Sequence, residues 1–570
     1  MSARLRHDAL LACALAVLMT LAWGWSDWAH LSALRLPDTD DVVRLQQIRD
    51  WLGGQRWGDL TQHRLGPPPG LPMHWSRLAD LGPAAIIAAL TPWTGSARAE
   101  LVAILVWPGM LFAVALFLIA RIARRVGGGD IVPAATVVAA IAYPATTIFL
   151  PGRIDHHNLQ VVLLLAAVVA VLHGGTRAAV LAGVCVGASL IVGLETLPIL
   201  AALGAVMLWH WTGRGTAPLA AFGLGTIAAL LAGRIAFAGD GFAFPACDGF
   251  TTPAFTAALV LASALPVVSI LARRATDRPG RMLVAAATIV PAACIALMRA
   301  PQCLSPYGAV DPRLATLWLS HVEEAQSVFA ASPATIVGYI GLAVVGLIAT
   351  AWQAWRHRSA GWTMLALLLA VATAIAAVQL RGAYAAAILS APGLAAAIAA
   401  ARTRGGGWLI AAWLVSAGML YPLAAAAFAT RPAPAVRTTA HGDCGSAAAM
   451  RTLARLPRGI VMAPVDAGAW ALAATSHRVL AAPYHRNAVG NLAAYRFYAA
   501  TPERAARIAA ALHVDYVMAC ANLPGADDPD SAAAALVAGG SVPGFVHRAD
   551  ATDGTMIFAR QRLSGAAPTP

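Results

Sequence analysis

Long apolar runs separated by short polar segments occupy the chain up to about residue 430. Segments of about 17 to 25 apolar residues can cross a bilayer as helices, and about thirteen satisfy that criterion. They lie near residues 8–29, 99–121, 131–150, 158–173, 178–194, 197–212, 217–238, 253–272, 282–299, 333–353, 361–379, 383–401 and 407–429. This pattern predicts an α-helical polytopic membrane protein.

The pattern changes after Arg431, where a Pro-Ala-Pro-Ala linker at residues 432–435 is followed by about 130 residues of mixed charge, the length of one small domain. Apolar segments at 459–463 and 516–520 are typical of buried strands, and residues 501–512 of a helix. Strands that alternate with helices indicate an α/β domain.

We therefore predict two domains. Residues 1–430 form a transmembrane domain with large external loops at 30–98 and 300–332, and residues 431–570 form a small α/β domain. The tail at 565–570 is expected to be disordered.

The composition agrees with a bilayer environment. Hydrophobic residues make up 59% of the chain and charged residues 12%, with a mean hydropathy of +0.68, whereas soluble domains have about a quarter of their residues charged. The net charge of +13 could suggest a nucleic-acid partner. However, the arginines cluster in short loops between apolar runs, as orientation in a membrane requires, so we expect no nucleic-acid partner.

Alternate loops carry the arginines, and the positive-inside rule places these loops in the cytoplasm. They contain Arg121, Arg124 and Arg125, then Arg177, Arg214, then Arg273, Arg274, Arg278 and Arg281, then Arg356 and Arg358, then Arg402 and Arg404. The first apolar run could be a signal peptide, but it lacks a small-residue cleavage site, so we expect it to be retained. The sequence predicts a bacterial inner-membrane protein with a cytoplasmic N-terminus and a periplasmic C-terminal domain.

Residues 151–158, Pro-Gly-Arg-Ile-Asp-His-His-Asn, place an acid and two imidazoles between two apolar runs. Ionisable groups at a membrane boundary are costly and usually have a partner such as a cation, a metal or a water-filled cavity. Solvation in the headgroup layer is the alternative. We expect Asp155 and His157 to be functional.

Two further acidic groups fall on the same external face. Asp38, Asp40 and Asp41 follow the first span, where a divalent cation would relieve their repulsion or a helix N-terminus would accept one or two of them. Glu323 and Glu324 lie in the 300–332 loop. The shared face indicates one extracytoplasmic site.

Five segments together resemble the catalytic subunits of oligosaccharyltransferases, which belong to the GT-C membrane glycosyltransferases. They are Asp40–Asp41 followed by Arg49–Asp50, which resemble the first catalytic acid motif; Gly152–His157, which resembles the Asp-x-Asp motif with His157 in the second place; Val322–Gln326, which resembles the Ser-Val-x-Glu motif; Arg381, which resembles the donor-phosphate arginine; and Pro464–Trp470, which resembles the Trp-Trp-Asp-Tyr-Gly motif.

The resemblance implies a GT-C fold and transfer of a sugar or oligosaccharide from a polyprenyl-phosphate or diphosphate donor. It implies a divalent metal ion, Mn²⁺ or Mg²⁺, held by Asp40, Asp155, His157 and Glu324. Asp40 and Glu324 take the catalytic places, where they would polarise or deprotonate the acceptor.

The resemblance also implies binding residues. Arg381 would hold the donor phosphate, although an isolated arginine at a span end can simply extend its charge to the interface. Asp466 would bind an acceptor hydroxyl or cap a turn. His485 and Arg486 suit phosphate or sugar, or belong to a solvated loop.

The acceptor is not fixed by this resemblance. Pro464 and Val465 stand where the family has two tryptophans that recognise the acceptor sequon. A protein side chain, a lipid-linked glycan and a polysaccharide therefore all stay open.

A transporter or flippase of lipid-linked sugars is the competing class, in which Asp155, Glu195 and Arg381 would line a substrate or proton path. Transporters commonly contain internal repeats and midplane acids. We find no internal repeat, and these residues lie at span ends, so a transferase is favoured. A structural assembly protein has no positive feature in its support.

Seven cysteines are present, without a Cys-x-x-Cys pair. Cys247 and Cys303 fall in external loops, and Cys444 and Cys520 fall in the C-terminal domain. Two disulfides can form there in an oxidising compartment.

Overall fold

The structure, a computed structural model, describes residues 3–214, 218–305, 310–428, 442–521 and 523–561. The predicted linker at 432–435 and the predicted disordered tail at 565–570 lie outside these ranges. The chain forms two compact units. The membrane unit contains Met1–Leu36, His74–Ala309 and Ser320–Thr430, and the second unit contains Pro37–Met73, Val310–Leu319 and Arg431–Pro570.

Helices make up most of the described chain. In chain order they are α1 (Ala3–Ser26), α2 (Trp28–Ser32), α3 (Thr39–Leu52), α4 (Arg77–Thr94), α5 (Ser96–Gly127), α6 (Val132–Ala140), α7 (His157–His173), α8 (Thr176–Val192), α9 (Leu197–Arg214), α10 (Leu219–Ala236), α11 (Thr252–Leu271), α12 (Arg278–Arg299), α13 (Pro312–Leu317), α14 (Pro333–His357), α15 (Ala360–Val378), α16 (Ala383–Leu389), α17 (Ala391–Arg402), α18 (Gly406–Ser416), α19 (Leu420–Phe428), α20 (Ala447–Ala454), α21 (Val465–Ala474), α22 (Ala488–Ala499), α23 (Pro502–Ala511) and α24 (Ala532–Val537).

The strands are short and all belong to the second unit. They are β1 (Thr61–Gln62), β2 (Leu71–Pro72), β3 (Ile460–Met462), β4 (Arg478–Val479), β5 (Tyr516–Ala519), β6 (Phe545–Asp550) and β7 (Met556–Arg560).

The membrane unit confirms the predicted polytopic helical fold. Among the described residues, seven helices are long and apolar enough to cross a bilayer, namely α1, α5, α10, α11, α12, α14 and α15. Two bent pairs also qualify: α16 with α17, bent by 44°, and α18 with α19, bent by 84°. The shorter apolar helices α7, α8 and α9 lie among them.

The predicted spanning helix over 131–150 is wrong in its form. The segment contains the nine-residue α6, about 14 Å long at 1.5 Å per residue, followed by a 3₁₀ helix at Ala145–Phe149. Pro144 stands between them, and proline has no N–H with which to continue a helix.

The same segment nevertheless returns the chain along most of α5, from its end to the level of Ile104. The Gly152 N–H donates to the Ile104 carbonyl near the start of α5 at 2.8 Å, and Arg125 at its end donates to the Leu172 carbonyl of α7 at 3.0 Å. α5 and α7 therefore run parallel. Residues 128–156 connect the end of α5 to the start of α7.

The opposite end of the membrane unit has a buried charge cluster. Asp8 of α1 is fully buried and accepts hydrogen bonds from Arg121 at 3.3 Å and from Arg124 Nε at 2.8 Å, both on α5. A buried carboxylate needs such partners, since an unpaired charge there would be costly. These pairs hold the first helix against α5.

The second unit has the predicted α/β organisation. Its five-stranded sheet has the order β4-β3-β5-β7-β6, with β3 parallel to β4 and β5, and β7 antiparallel to β5 and β6. The expected strands at 459–463 and 516–520 correspond to β3 and β5, and the expected helix at 501–512 corresponds to α23.

Residues 37–73 fold together with this sheet. Arg64 donates to the carbonyls of Leu472, Thr475 and His477 at 2.9, 2.7 and 3.2 Å, which satisfies the C-terminal end of α21. Leu65 pairs with Val479 of β4. The second unit therefore includes most of the loop that follows the first span.

Both anticipated cysteine pairs are bonded. Cys247 pairs with Cys303 in the membrane unit and Cys444 with Cys520 in the second unit, with Cα–Cα separations of 4.9 and 5.5 Å. Both separations lie in the usual range for disulfides.

Candidate active site

The turn before α7 carries the first group of polar side chains. Gly152 has a φ of 92°, a left-handed conformation that glycine adopts at low cost. The Asn158 amide donates to the carbonyls of Ile148 and Arg153 at 3.2 and 3.0 Å. These bonds fix the turn, so Asp155, His156 and His157 enter α7 in a defined orientation.

Asp155, His156 and His157 are buried and lie close together. His156 Nδ1 is 2.7 Å from Asp155 Oδ1, and His157 Nε2 is 3.4 Å from Asp155 Oδ2. One ligand atom from each residue lies within 4.8 Å of the others. This group can hold a metal ion.

Glu195, in the connection between α8 and α9, completes the group from the other side. Its Oε1 is 3.0 Å from His156 Nε2, and its Oε2 accepts a hydrogen bond from Gln160 Nε2 at 2.7 Å. His156 therefore lies between two carboxylates.

The charge of His156 follows from this arrangement. Burial alone would lower its pKa, but the negative charges of Asp155 and Glu195 outweigh burial and raise the pKa of His156 to about 10. The positive charge of His156 in turn holds the pKa of Glu195 well below its usual value despite burial. Two carboxylates at this position thus attract positive charge.

Glu324 and Arg381 form a second polar group. Arg381 Nη2 donates to Glu324 Oε1 at 3.0 Å, and the Tyr384 hydroxyl donates to Glu324 Oε2 at 3.1 Å. The Arg381 and Glu324 side chains are 15% and 25% exposed, so the pair is largely shielded from water. A partly desolvated guanidinium suits recognition of a phosphate or carboxylate.

The loop that carries Glu324 is attached to the junction between α15 and α16. The Leu380 N–H donates to the Gln326 carbonyl at 3.0 Å, and the Val328 N–H donates to the Ala377 carbonyl at 3.1 Å. Backbone bonds in both directions fix Glu324 beside Arg381.

The two groups adjoin one another. The rings of His157 and Tyr384 have centroids 6.0 Å apart. The fold thus brings together Asp155, His157, Glu324 and Arg381, all on the end of the membrane unit where α7, α14 and α16 begin.

The other predicted site residues belong to the second unit. Asp38 caps α3 by accepting from the Asp40 N–H at 3.1 Å, so Asp40 occupies the first turn and is half-buried. Asp466 lies in the first turn of α21, where burial raises the pKa of its carboxyl. His485 and Arg486 follow β4, and Arg486 donates to the Pro72 and Met73 carbonyls.

Sequence reasoning gave too little weight to three residues of the site. The motif resemblance assigns the metal to His157 and not to His156, Glu195 enters only as part of a transport path, and Gln160 carries no sequence signal. Glu195 had a usable signal, because it is the one acidic residue between residues 158 and 238. Gln160 and His156 had none, since their roles depend on a contact across 35 or more positions.

Comparison with known proteins gives a match in fold. No family model and no curated protein matches the chain. Among solved structures, the oligosaccharyltransferase of Archaeoglobus fulgidus in its apo form matches with a TM-score of 0.70 and 15% identity, over 98% of this chain and 75% of that one.

Two complexes of the archaeal enzyme match as well. The complex with an inhibitory peptide and a dolichol-phosphate has a TM-score of 0.64 and 15% identity, over 99% of this chain and 75% of that one. The complex with zinc and sulfate has a TM-score of 0.60 and 16% identity, over 96% and 73%. The chain therefore has the oligosaccharyltransferase fold, as the sequence motifs predict, in a divergent form.

Proposed function

We propose that this chain transfers a sugar or oligosaccharide from a polyprenyl-phosphate or diphosphate donor to an extracytoplasmic acceptor. The observation that carries the proposal is the buried cluster at one end of the membrane unit, in which Asp155, His156 and His157 adjoin the Glu324–Arg381 pair. The cluster lies in a fold shared with the oligosaccharyltransferase of Archaeoglobus fulgidus.

The donor side of the proposal rests on Arg381. A lipid-linked sugar keeps its tail in the bilayer and its phosphate at the interface, so the protein must provide positive charge at the ends of its spans. Arg381 stands at such an end, between α15 and α16. The archaeal enzyme has been captured with a dolichol-phosphate, a ligand of this chemical class.

The metal side rests on the chemistry of the donor set. Two imidazoles and a buried carboxylate with ligand atoms within 4.8 Å of one another suit a divalent ion such as Mn²⁺. Asp155 and His157 would hold it, and the related archaeal structure contains zinc. When bound, the ion would neutralise charge on the leaving phosphate. The further ligand roles of Asp40 and Glu324 stay predictions.

The acceptor side involves the second unit. We assign Asp40 the role of polarising the acceptor nucleophile, and Asp466, His485 and Arg486 the role of acceptor or donor contacts. Within that unit, the Tyr484 hydroxyl donates to the Thr39 carbonyl at 3.1 Å, which supports a common surface for Asp40 and the loop of His485.

The acceptor class is a protein side chain or a glycan. Pro464 is the N-cap of α21, and the next residue, Val465, is buried. Neither residue has an aromatic side chain that could contact a sequon hydroxyl. The acceptor need not contain an Asn-x-Ser/Thr sequon.

We place the chain in a bacterial inner membrane, with the N-terminus in the cytoplasm and the second unit in the periplasm. The disulfides Cys247–Cys303 and Cys444–Cys520 support an oxidising compartment for the face that carries the cluster. The arginine-rich loops support the opposite face as cytoplasmic.

A direct test incubates the purified full chain in lipid nanodiscs with Mn²⁺ and a labelled polyprenyl-diphosphate sugar. Wild type should release or transfer the label, and Asp155→Ala should not. Glu323→Gln is the matched control, since Glu323 contacts Thr335 at 3.3 Å rather than the cluster. Equal release from wild type and Asp155→Ala would overturn the proposal.

The same material tests the transporter alternative. A flippase would move the lipid-linked sugar between leaflets without breaking the bond to phosphate. Intact lipid-linked sugar on the opposite leaflet, without label release, would favour transport over transfer.

A further inference from the structure

We infer that Glu195 and Gln160 are positioning residues for His156 and His157. They hold the outer ring nitrogens, His156 Nε2 and His157 Nδ1. The inner ring nitrogens, His156 Nδ1 and His157 Nε2, then face Asp155 and form with it a cation site of two imidazoles and one carboxylate. The inference deepens the proposed function, on which it rests for the use of that cation. It also makes His156 a ligand alongside His157: the cation takes the place of the proton on His156 Nδ1 beside Asp155, and that proton is released to solvent on binding.

The inner nitrogens converge on one carboxylate. His156 Nδ1 approaches Asp155 Oδ1 at 2.7 Å, and His157 Nε2 approaches Asp155 Oδ2 at 3.4 Å. The two rings are adjacent, with centroids 4.4 Å apart. His156 therefore faces Asp155 with its Nδ1 and His157 with its Nε2. The second nitrogen of each ring, far from Asp155, is left to contact another partner.

Those far nitrogens meet Glu195 and Gln160. His156 Nε2 lies 3.0 Å from Glu195 Oε1, and His157 Nδ1 lies 3.4 Å from Gln160 Oε1. The two partners are joined, because Gln160 Nε2 donates to Glu195 Oε2 at 2.7 Å. Metal-ligating histidines typically donate their second ring N–H to a carboxylate or carbonyl oxygen, which fixes the ring orientation and the tautomer.

The connection that carries Glu195 is held in shape. Ser189 and Thr196, both buried, join their hydroxyls at 3.0 Å across it. At Gly193, an added Cβ would lie 2.4 Å from Glu195 Oε2 and 2.7 Å from Gln160 Nε2. Glycine at position 193 therefore leaves room for the side chains of Glu195 and Gln160.

This donor set has a consequence for metal choice. Mg²⁺ prefers oxygen ligands in a strict octahedron, whereas imidazole nitrogens suit zinc and other transition ions. A site with two imidazoles should bind Zn²⁺ and Mn²⁺ more tightly than Mg²⁺.

The test measures metal binding rather than turnover. Mn²⁺ alone is titrated into the purified full chain in nanodiscs and followed by electron paramagnetic resonance, with Zn²⁺ and Mg²⁺ as competitors. Glu195→Ala should weaken Mn²⁺ binding by about 10- to 100-fold, the usual effect of losing an outer partner of a metal ligand. Glu195→Gln keeps an oxygen for His156 but loses the charge, so it should fall between Glu195→Ala and wild type.

Gln160→Leu removes the contact to His157 and should also weaken Mn²⁺ binding. Glu323→Gln serves as the control and should leave the Mn²⁺ affinity unchanged. Thermal melting of each variant without metal separates affinity from folding. Mn²⁺ affinities for Glu195→Ala and Gln160→Leu within about twofold of wild type, with any change confined to melting, would refute the positioning role.

The same preparations keep the two proposals distinguishable. In one outcome, label release from the lipid-linked sugar needs Asp155, but the Mn²⁺ affinity of Glu195→Ala equals that of wild type. This result would leave the transferase proposal intact and refute the positioning role of Glu195. Weakened Mn²⁺ binding in Glu195→Ala without any label release by wild type would support the cation site and overturn the transferase proposal.

Discussion

Substitution of Gly193 by alanine perturbs the cluster without removing any polar group. Gly193 has a φ of 179°, an extended conformation open to any residue, so the backbone tolerates alanine. The new Cβ would lie 2.4 Å from Glu195 Oε2, 2.7 Å from Gln160 Nε2 and 3.2 Å from His156 Cδ2. The nearest atoms are the ends of flexible side chains, so the side chains should move and the fold should persist.

The size of the effect follows from these distances. Glu195 must retreat by about 1 Å to reach an ordinary nonbonded separation. Its contact to His156 Nε2 is 3.0 Å, so a retreat of that size takes it beyond hydrogen-bond range. Loss of a hydrogen bond to a charged group costs about 1.5 to 3 kcal/mol. We therefore expect Mn²⁺ affinity to fall by about 10- to 100-fold.

The assay is Mn²⁺ titration followed by electron paramagnetic resonance, paired with thermal melting. Gly338→Ala is the matched control, because the nearest atoms to its added Cβ are 3.7 Å away, an ordinary contact. It should leave Mn²⁺ affinity unchanged. An unchanged Mn²⁺ affinity in Gly193→Ala, with its melting temperature also unchanged, would refute the view that Glu195 and Gln160 set the geometry of the site.

Further predictions concern donor binding and the stability of the second unit. Arg381→Ala should raise the KM for the lipid-linked donor by about 10- to 100-fold, because a charge-assisted hydrogen bond is lost, and Arg381→Lys should restore part of it; an unchanged KM would contradict the donor role. Replacing Cys444 and Cys520 with alanine opens a bridge between cysteines 76 positions apart and should lower the free energy of unfolding by about 4 kcal/mol, measured by denaturant titration; an unchanged midpoint would contradict this. Tyr498→Phe removes a fully buried hydroxyl that donates to a β5 carbonyl at 2.8 Å, and should cost about 1 kcal/mol in the same titration, whereas any loss of Mn²⁺ affinity would contradict a purely structural role.

The spans were predictable because each depends on a contiguous apolar run. Three predicted spans nevertheless differ in form. Residues 383–401 and 407–429 form the bent pairs α16–α17 and α18–α19. Residues 131–150 are divided at Pro144, whose missing N–H ends a helix that composition alone would continue. Apolar content predicts that a segment lies in the bilayer. It does not distinguish one continuous helix from a short helix followed by a 3₁₀ helix.

The candidate site was predictable where its residues are neighbours in sequence. Asp155 and His157 stand in one turn, so their proximity follows from the chain itself. The contact of Glu195 with His156 spans 39 positions, and the contact of Arg381 with Glu324 spans 57. The first of these depends on how α7 and α8 pack, which no local pattern encodes.

The packing of residues 37–73 shows the same limit. The neighbouring sequence predicts only that Arg64 lies in a loop. In the fold, Arg64 donates to three carbonyls at the end of α21, more than 400 positions later in the chain. Only the folded second unit shows why an arginine stands there.

The most direct test of the central claim is to measure on which leaflet lipid-linked sugar accumulates in a strain that lacks this chain. A transferase that acts at the external ends of the spans consumes its donor there. We therefore predict accumulation on the extracytoplasmic leaflet, accessible to added glycosidase, and reversal by wild type but not by Asp155→Ala. Accumulation on the cytoplasmic leaflet, or none at all, would contradict the account.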